Sequence, residues 1–364
     1  MAGTFGALFE RPSVDDTVWA KRNEHWLALS GKPIRYRRPR ERTREPLVLA
    51  GHGVHLRIEA GALVVRNGFT HYPQEREVFR YFRGDVRIPP RIIMLDGSGG
   101  LSFDVIDWLA EQRVALFRIN YLGEVVSIIG GSGAAYDSER VLWQLETRAD
   151  PERRLSFCCD LIGDKIAASI QTMRTALPDT RERVKALERA AKAIDRLERR
   201  GVRTVNDVLM IEAGAAAAYF AAWRGRPIRW RRRARSPVPP AWEFAEGRAS
   251  MRERGGLINR HATHPINAML NYAYAVLHSQ VQLEVINDGY DPRLGIMHAA
   301  RSDGQALVLD LMERRRPAID AQVLKFASAE LFAVEDFVIR KDGVCRLAPQ
   351  LARRVAQLAS TDRP

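Results

Sequence analysis

The sequence predicts an α+β fold in which a small N-terminal β-rich domain precedes a larger, all-α C-terminal domain. Three observations predict it. The length, 364 residues, suits about two domains. Over residues 47–129 the apolar period is mostly two, as in half-buried strands. Beyond the glycine-rich stretch 130–133 (GGSG), nearly every segment shows helical spacing instead. The boundaries that follow are a polar and basic leader over 1–46, a β-rich domain over 47–130 and a helical domain over 134–364, with GGSG as the hinge.

The β half begins with Val54, Leu56 and Ile58 alternating with His55 and Arg57, a turn, and then residues 63–65. Residues 92–95 form another apolar run. The following DGSGG (96–100) predicts a strand-to-helix turn; it lacks the Gly-Lys-Ser/Thr ending of a phosphate loop. A short helix is expected over 103–112 and a strand over 114–119. Helical spacing then marks residues 138–148, 155–177, 180–200, 205–223, 265–287 and 320–332. The heavily charged 180–200 segment reads as a solvated face.

Composition narrows the function. A chain that is 46% hydrophobic and 28% charged is ordinary for a soluble globular protein, which excludes wholesale disorder. Lys and Arg number 57 against 44 Asp and Glu, a net charge of +13, and this favours a polyanionic partner, nucleic acid above all. Three cysteines, Cys158, Cys159 and Cys345, make no disulfide framework and no spaced zinc pair, so an intracellular, cytoplasmic protein is expected. The start of the chain lacks the pattern of a signal peptide, and the longest apolar run, 208–223, is interrupted by Glu212, so no membrane segment is expected.

Two segments concentrate the positive charge. Residues 32–44 (KPIRYRRPRERTR) carry seven basic residues and one acidic, and read as a basic arm or a solvated connector. Residues 224–235 (RGRPIRWRRRAR) set Arg224, Arg226, Arg229, Arg231, Arg232 and Arg233 around Trp230. Arginine forks match phosphate oxygens and a tryptophan can stack on an unpaired base, so these residues are the candidate DNA contacts.

The chemistry rests on three separated sites. Glu212 is the one acid in an apolar, alanine-rich helix and needs compensation by a metal, an arginine, or water on an open face; a salt-bridged or exposed glutamate is the plainer reading. His298 follows an apolar stretch, where a histidine is commonly a hydrogen-bonded structural residue. Asp310 and Glu313 stand at i and i+3, on one face of a helix that begins near Leu309. Alternatively, Asp310 caps that helix and Glu313 pairs with an arginine among 314–316. Carboxylates with one imidazole suit Mg2+ or Mn2+ better than a structural zinc. Such an ion beside a basic groove fits phosphodiester chemistry. No Ser-His-Asp or Cys-His set competes on spacing.

The run Gly289-Tyr-Asp-Pro-Arg-Leu-Gly-Ile-Met-His298, followed by Leu307-Val-Leu-Asp-Leu-Met-Glu313 and Arg316-Pro317, closely resembles the signature of the CRISPR-associated endonuclease and integrase family Cas1. Upstream, residues 265–274 (PINAMLNYAY) resemble that family's Pro-x-Asn-Ala-Leu-Leu-Asn-Tyr-x-Tyr helix, and residues 209–220 the helix bearing its first metal glutamate. Residues 335–347 match a weaker family ending. The agreement spans residues 47–351, loosest in the β half; the leader and the stretch 67–90 have no evident counterpart. The resemblance implies a β domain that mediates homodimerisation and a helical domain that holds a divalent metal. Glu212, His298 and Glu313 then take the metal-ligand positions, with Asp310 as support or an alternative ligand. It further implies attack by the 3′ hydroxyl of a captured DNA fragment on a phosphodiester of a CRISPR repeat array, with the small protein Cas2 bridging two dimers. Two rivals remain, a mobile-element integrase of the same superfamily and a catalytically silent DNA-bridging protein.

Overall fold

The structure, a computed structural model, describes residues 45–69, 76–130, 137–199, 201–231, 237–245, 250–251, 257–258, 262–298, 304–339 and 344–360. All of them lie in one compact unit, residues 42–364. The basic arm 32–44 and residues 131–133 of the expected hinge lie outside the described residues, as do Arg232 and Arg233.

The β half is a six-stranded mixed sheet. Its strands are β1 (Leu47–Glu59), β2 (Ala62–Arg66), β3 (Val78–Tyr81), β4 (Arg91–Leu101), β5 (Ala115–Ile119) and β6 (Val125–Gly130), in the order β3-β2-β1-β4-β5-β6. Helix α1 (Phe103–Glu111) connects β4 to β5, which run parallel, whereas β1–β2, β2–β3 and β5–β6 are antiparallel. The alternation seen in sequence is real, since Val54 and Leu56 are buried and His55 and Arg57 exposed. β3 falls inside the stretch 67–90 and extends the sheet outward from β2.

DGSGG is not a turn. It belongs to β4, paired in parallel with β1 through Gly97, Ser98, Gly99 and Gly100, across two register shifts. The reason is space: a Cβ on Gly97 would lie 2.0 Å from the Gly51 carbonyl oxygen, and one on Gly99 1.9 Å from that of Val54. The glycines serve close strand approach at a bulge, which local composition does not distinguish from a turn.

The sheet has two buried faces. Leu49, Leu63, Val65, Ile92 and Leu116 pack with Val105, Trp108 and Leu109 of α1. Val48, Ala50, Ile93, Leu95 and Ile119 join the same core as the helices beyond. Those helices are α2 (Ser138–Ala149), α3 (Pro151–Ala176), α4 (Arg181–Glu198), α5 (Val205–Ala221), α6 (Pro265–Asn287), α7 (Ala306–Met312), α8 (Arg316–Ala329) and α9 (Pro349–Ser360). Their starts are written in the sequence: Asp137 caps α2, Asp150 caps α3, and Thr204 with Asp207 closes a capping box on α5. α7 begins at Ala306, earlier than the expected Leu309, and α8 at Arg316, earlier than 320.

α6 is buried on nearly all sides, from Pro265 to Val285, and contacts α7, α8 and α9. A helix apolar all round can only be a core element, and this one is the post around which the others stand. α4 instead buries the small stripe Ala186, Ala190 and Ala193 against α3 and α5, with its charges outward, as expected of a solvated face. Among the described residues no helix is long and apolar enough to cross a membrane.

Two residues past the end of α6 stands Gly289, whose φ of +83° is left-handed, and a Cβ there would sit 2.6 Å from Cβ of Asp137, the cap of α2. The Gly289 carbonyl also accepts the Asp137 amide at 2.9 Å. Gly289→Ala adds backbone strain to a clash and is expected to cost about 2–3 kcal/mol of stability, read by urea denaturation.

Candidate active site and nucleic-acid interface

Helices α3 to α8 meet at a cleft of about 910 Å³, lined by Lys165 of α3, Glu212 and Tyr219 of α5, Tyr274 and His278 of α6, and His298, Arg316 and Asp320 among others. Glu212 sits mid-helix on α5, between the buried Ile211 and Ala215, so its carboxylate leaves an otherwise apolar helix toward this cleft. Glu313 is the residue that ends α7. The two glutamates are 101 positions apart in the chain, yet Glu212 Oε1 and Glu313 Oε2 each lie 2.6 Å from one atom, the Lys165 Nζ.

The Lys165 side chain is only 17% exposed and that of Glu313 6%. Burial pulls the Lys165 ammonium down, but the Glu313 and Glu212 charges outweigh it and hold it above its ordinary value. Burial likewise pushes Glu313 up, and Arg316 and Lys165 together bring it below the usual carboxylate range. Arg316 Nη1 is 2.8 Å from Glu313 Oε1, so the sequence alternative of a Glu313–arginine pair is present as well. The Lys165 contact with Glu212 is a hydrogen bond. Its contact with Glu313 Oε2 is an ion pair without that geometry, and among the described residues this buried oxygen has no well-aligned hydrogen-bond partner.

His298 is placed by Asp310. The Asp310 carboxylate, fully buried, accepts the backbone amides of Ile296 (2.7 Å), Met297 (3.0 Å) and His298 (3.0 Å) and lies 2.6 Å from the His298 Nδ1. An ionised carboxylate can only accept, so Nδ1 carries the proton and, in the neutral ring, Nε2 keeps its lone pair. The cap of α7 is Gln305, so Asp310 does not cap its own helix as one alternative had it; it anchors the 291–298 loop from inside. From outside, Gln144 Nε2 donates to the carbonyls of Asp291 and Leu294, Arg148 to Gly295, and Arg154 to Ile296. His298 lines the same cleft as Lys165 and Glu212, and its charge adds to the lowering of Glu313.

A hard divalent cation fits this chemistry: two carboxylates, an imidazole presenting Nε2, and a buried glutamate oxygen without a hydrogen bond. Among the described residues no three such side chains are already spaced around an ion; the ammonium stands between the carboxylates instead. The compensating partner of Glu212 is therefore a lysine, which sequence reasoning missed. A signal was there, because Lys165 falls in the buried stripe Cys158, Ile162, Ser169 and Thr172 of α3. Also missed was a buried carboxylate, Asp320, which accepts from the Tyr219 hydroxyl at 2.9 Å and the Tyr274 hydroxyl at 2.5 Å. His278 lines the cleft too, and burial, reinforced by Arg316, pushes it down to about 4, so it is neutral there.

The arginine segment leaves the end of α5. Arg224, Arg229 and Arg231 are exposed. Arg226 is not, for its guanidinium binds the Ala176 carbonyl and Ser328 Oγ, ties between helices rather than an open phosphate contact. Trp230 departs from the base-stacking expectation as well. Its ring stacks on Trp242 at 5.9 Å and 19° and meets Phe337 at 5.7 Å, inside the aromatic cluster. A large apolar ring next to a core is worth more buried than exposed, and the local run of arginines concealed that.

The family model for CRISPR associated protein Cas1 matches residues 47–360. The chain belongs to the Cas1 family. Among curated Cas1 relatives, the CRISPR-associated endonuclease Cas1 1 of Francisella tularensis subsp. novicida is 27% identical over 77% of this chain and 78% of its own length. The CRISPR-associated endonuclease Cas1 2 of Pyrobaculum aerophilum is 28% identical over 87% and 93%. The fold is shared with a casposase bound to integration product, at TM-score 0.70 and 20% identity over 87% of this chain and 82% of that one. It is also shared with part of a Cas6-RT-Cas1–Cas2 complex, at TM-score 0.66 and 15% identity over 87% and 32%.

Removing the Asp310 anchor in this Cas1 chain orphans three buried amides. Asp310→Ala is expected to cost about 3–5 kcal/mol, with a lower melting temperature and faster amide exchange at 296–298.

Proposed function

We propose that this Cas1 protein is a divalent-metal-dependent DNA endonuclease and integrase that joins captured DNA fragments to a CRISPR repeat array in the cytoplasm. The observation that carries the reading is the convergence of Glu212 and Glu313 on one nitrogen, in a cleft that His298 shares. A merely DNA-bridging protein has no use for two facing, largely buried carboxylates, whose desolvation is unfavourable unless a cation accompanies them.

Glu212, Glu313 and the Nε2 of His298 would hold Mg2+ or Mn2+. Bound there, the ion supplies polarisation of a phosphodiester oxygen and charge stabilisation at the leaving oxygen. Asp310 acts through His298, fixing the ring's tautomer and orientation and the path of the loop that carries it. Arg316, paired with Glu313, keeps that carboxylate ionised. The arginines that follow α5 begin three residues beyond its end at Ala221. They extend from the C-terminal end of the helix that carries Glu212 and would neutralise an anionic backbone led along that helix toward the cleft. Residues 32–44, Arg232 and Arg233 carry further positive charge for the same purpose.

The β-rich domain, 47–130, is proposed as the homodimerisation element and 134–364 as the catalytic one. Supporting the first, strand β3 is an edge of the sheet, with exposed Val78 there and exposed Phe69 and Phe82 nearby. A Cas2 protein is the proposed bridge between dimers, supported by the likeness to a Cas1 chain in complex with Cas2. A second reading, integration on behalf of a mobile element, is favoured by the likeness to a casposase. The two share the chemistry and differ in the DNA joined, so strand transfer into repeat-array DNA against other duplexes separates them.

Glu212→Ala is expected to lower Mn2+-dependent strand transfer by at least about a hundredfold while leaving DNA affinity within about threefold; unchanged transfer would refute the site. Replacing Arg224, Arg229 and Arg231 together by Ala should flatten the dependence of log Kd on log salt by roughly two to three, near 0.9 for each phosphate no longer neutralised. An unaltered slope would return the segment to the class of charged loops.

A further inference from the structure

The chemistry proposed above assigns no step to Lys165, yet its ammonium stands between the two glutamates on the cleft wall. It projects from the buried stripe of α3, and its ammonium touches one oxygen of each glutamate at 2.6 Å. Arg316 takes the other oxygen of Glu313. Two negative charges thus meet two positive ones, and the glutamate pair is balanced without any ion. A divalent cation held by the same oxygens would sit about 2.1 Å from each. An ammonium that stayed 2.6 Å from both oxygens would lie within about 4 Å of an ion bound to the same two oxygens, and two cations that close repel strongly at low dielectric.

We infer that Lys165 is a resident counter-cation of the site: its ammonium holds Glu212 and Glu313 together in the metal-free chain, and it must withdraw from them for a divalent ion to bind. The four-carbon stem permits this without moving α3, since a lysine swings its charge on rotatable bonds, and the cleft of about 910 Å³ gives it room. Lys165 is therefore a positioning residue whose effect is to set the ion affinity of the site and to keep the two carboxylates from separating when no ion is bound. The inference rests on the metal reading of the site.

The test is Lys165→Met, which keeps the length and apolar stem and removes the charge. Titration with MnCl2 alone, followed by calorimetry, should show binding about tenfold tighter than in the unaltered chain, as removal of a competing charge requires. The metal-free variant should melt several degrees lower, with Mn2+ raising its melting temperature by more than it raises that of the unaltered chain. Equal or weaker Mn2+ affinity overturns the inference. If both chains bind equally and Glu212→Gln abolishes binding, the metal reading stands and only the role of Lys165 falls. If neither chain binds Mn2+, both fall. Should Lys165→Met not fold, acylation footprinting of the unaltered chain decides: Lys165 should be shielded without Mn2+ and labelled with it, and equal labelling in both states overturns the inference.

Discussion

Two ionised carboxylates cannot face each other across a largely buried cleft without a cation between them. That constraint organises the helical half of the molecule. Glu212 and Glu313 arrive on different helices, and their mutual repulsion would spread α5 from α7 if Lys165 and Arg316 did not neutralise them. The charges are poised rather than merely tolerated, because burial and the partner charges act on Glu313 in opposite directions and the partners prevail. A site of this kind holds strong electrostatic potential in a small volume, and phosphodiester chemistry needs the same.

The geometry around those charges is stiff where the chemistry requires it. The loop carrying His298 buries Ile296 and Met297, and its path is set by hydrogen bonds from both sides, Asp310 within and Gln144, Arg148 and Arg154 without. α6 supplies the apolar backing, and it places Tyr274 and His278 on the cleft wall one turn apart. The arginine segment divides its residues between anchoring and display. Arg226 and Trp230 fasten it to the helical core, and Arg229, whose Nη1 also donates to the Ala329 carbonyl, stays exposed with Arg224 and Arg231 where an anionic backbone can reach them.

Much of the fold was legible because its signals are local. Alternation around Val54 marked β1, and Pro265 and Asn287 bounded α6 as the spacing said. DGSGG was misleading, since the same glycines that loosen a turn also admit the close approach of Gly51 and Val54, and only the partner strand tells these apart. Lys165 escaped notice because a single charge in a stripe of a long helix is uninformative until the opposing helices are in place.

By itself the sequence determined the secondary-structure periods, the excess of positive charge and the identity of Glu212, His298, Asp310 and Glu313 as the acids and imidazole of interest. All are properties of neighbours along the chain, where spacing and side-chain chemistry act directly. Tertiary structure alone decided that Lys165 joins the two glutamates, that Asp310 serves the His298 loop rather than its own helix, and that Trp230 is packing. Each of those is a contact between residues far apart in the chain, and its energy depends on burial and distance, which no local pattern encodes.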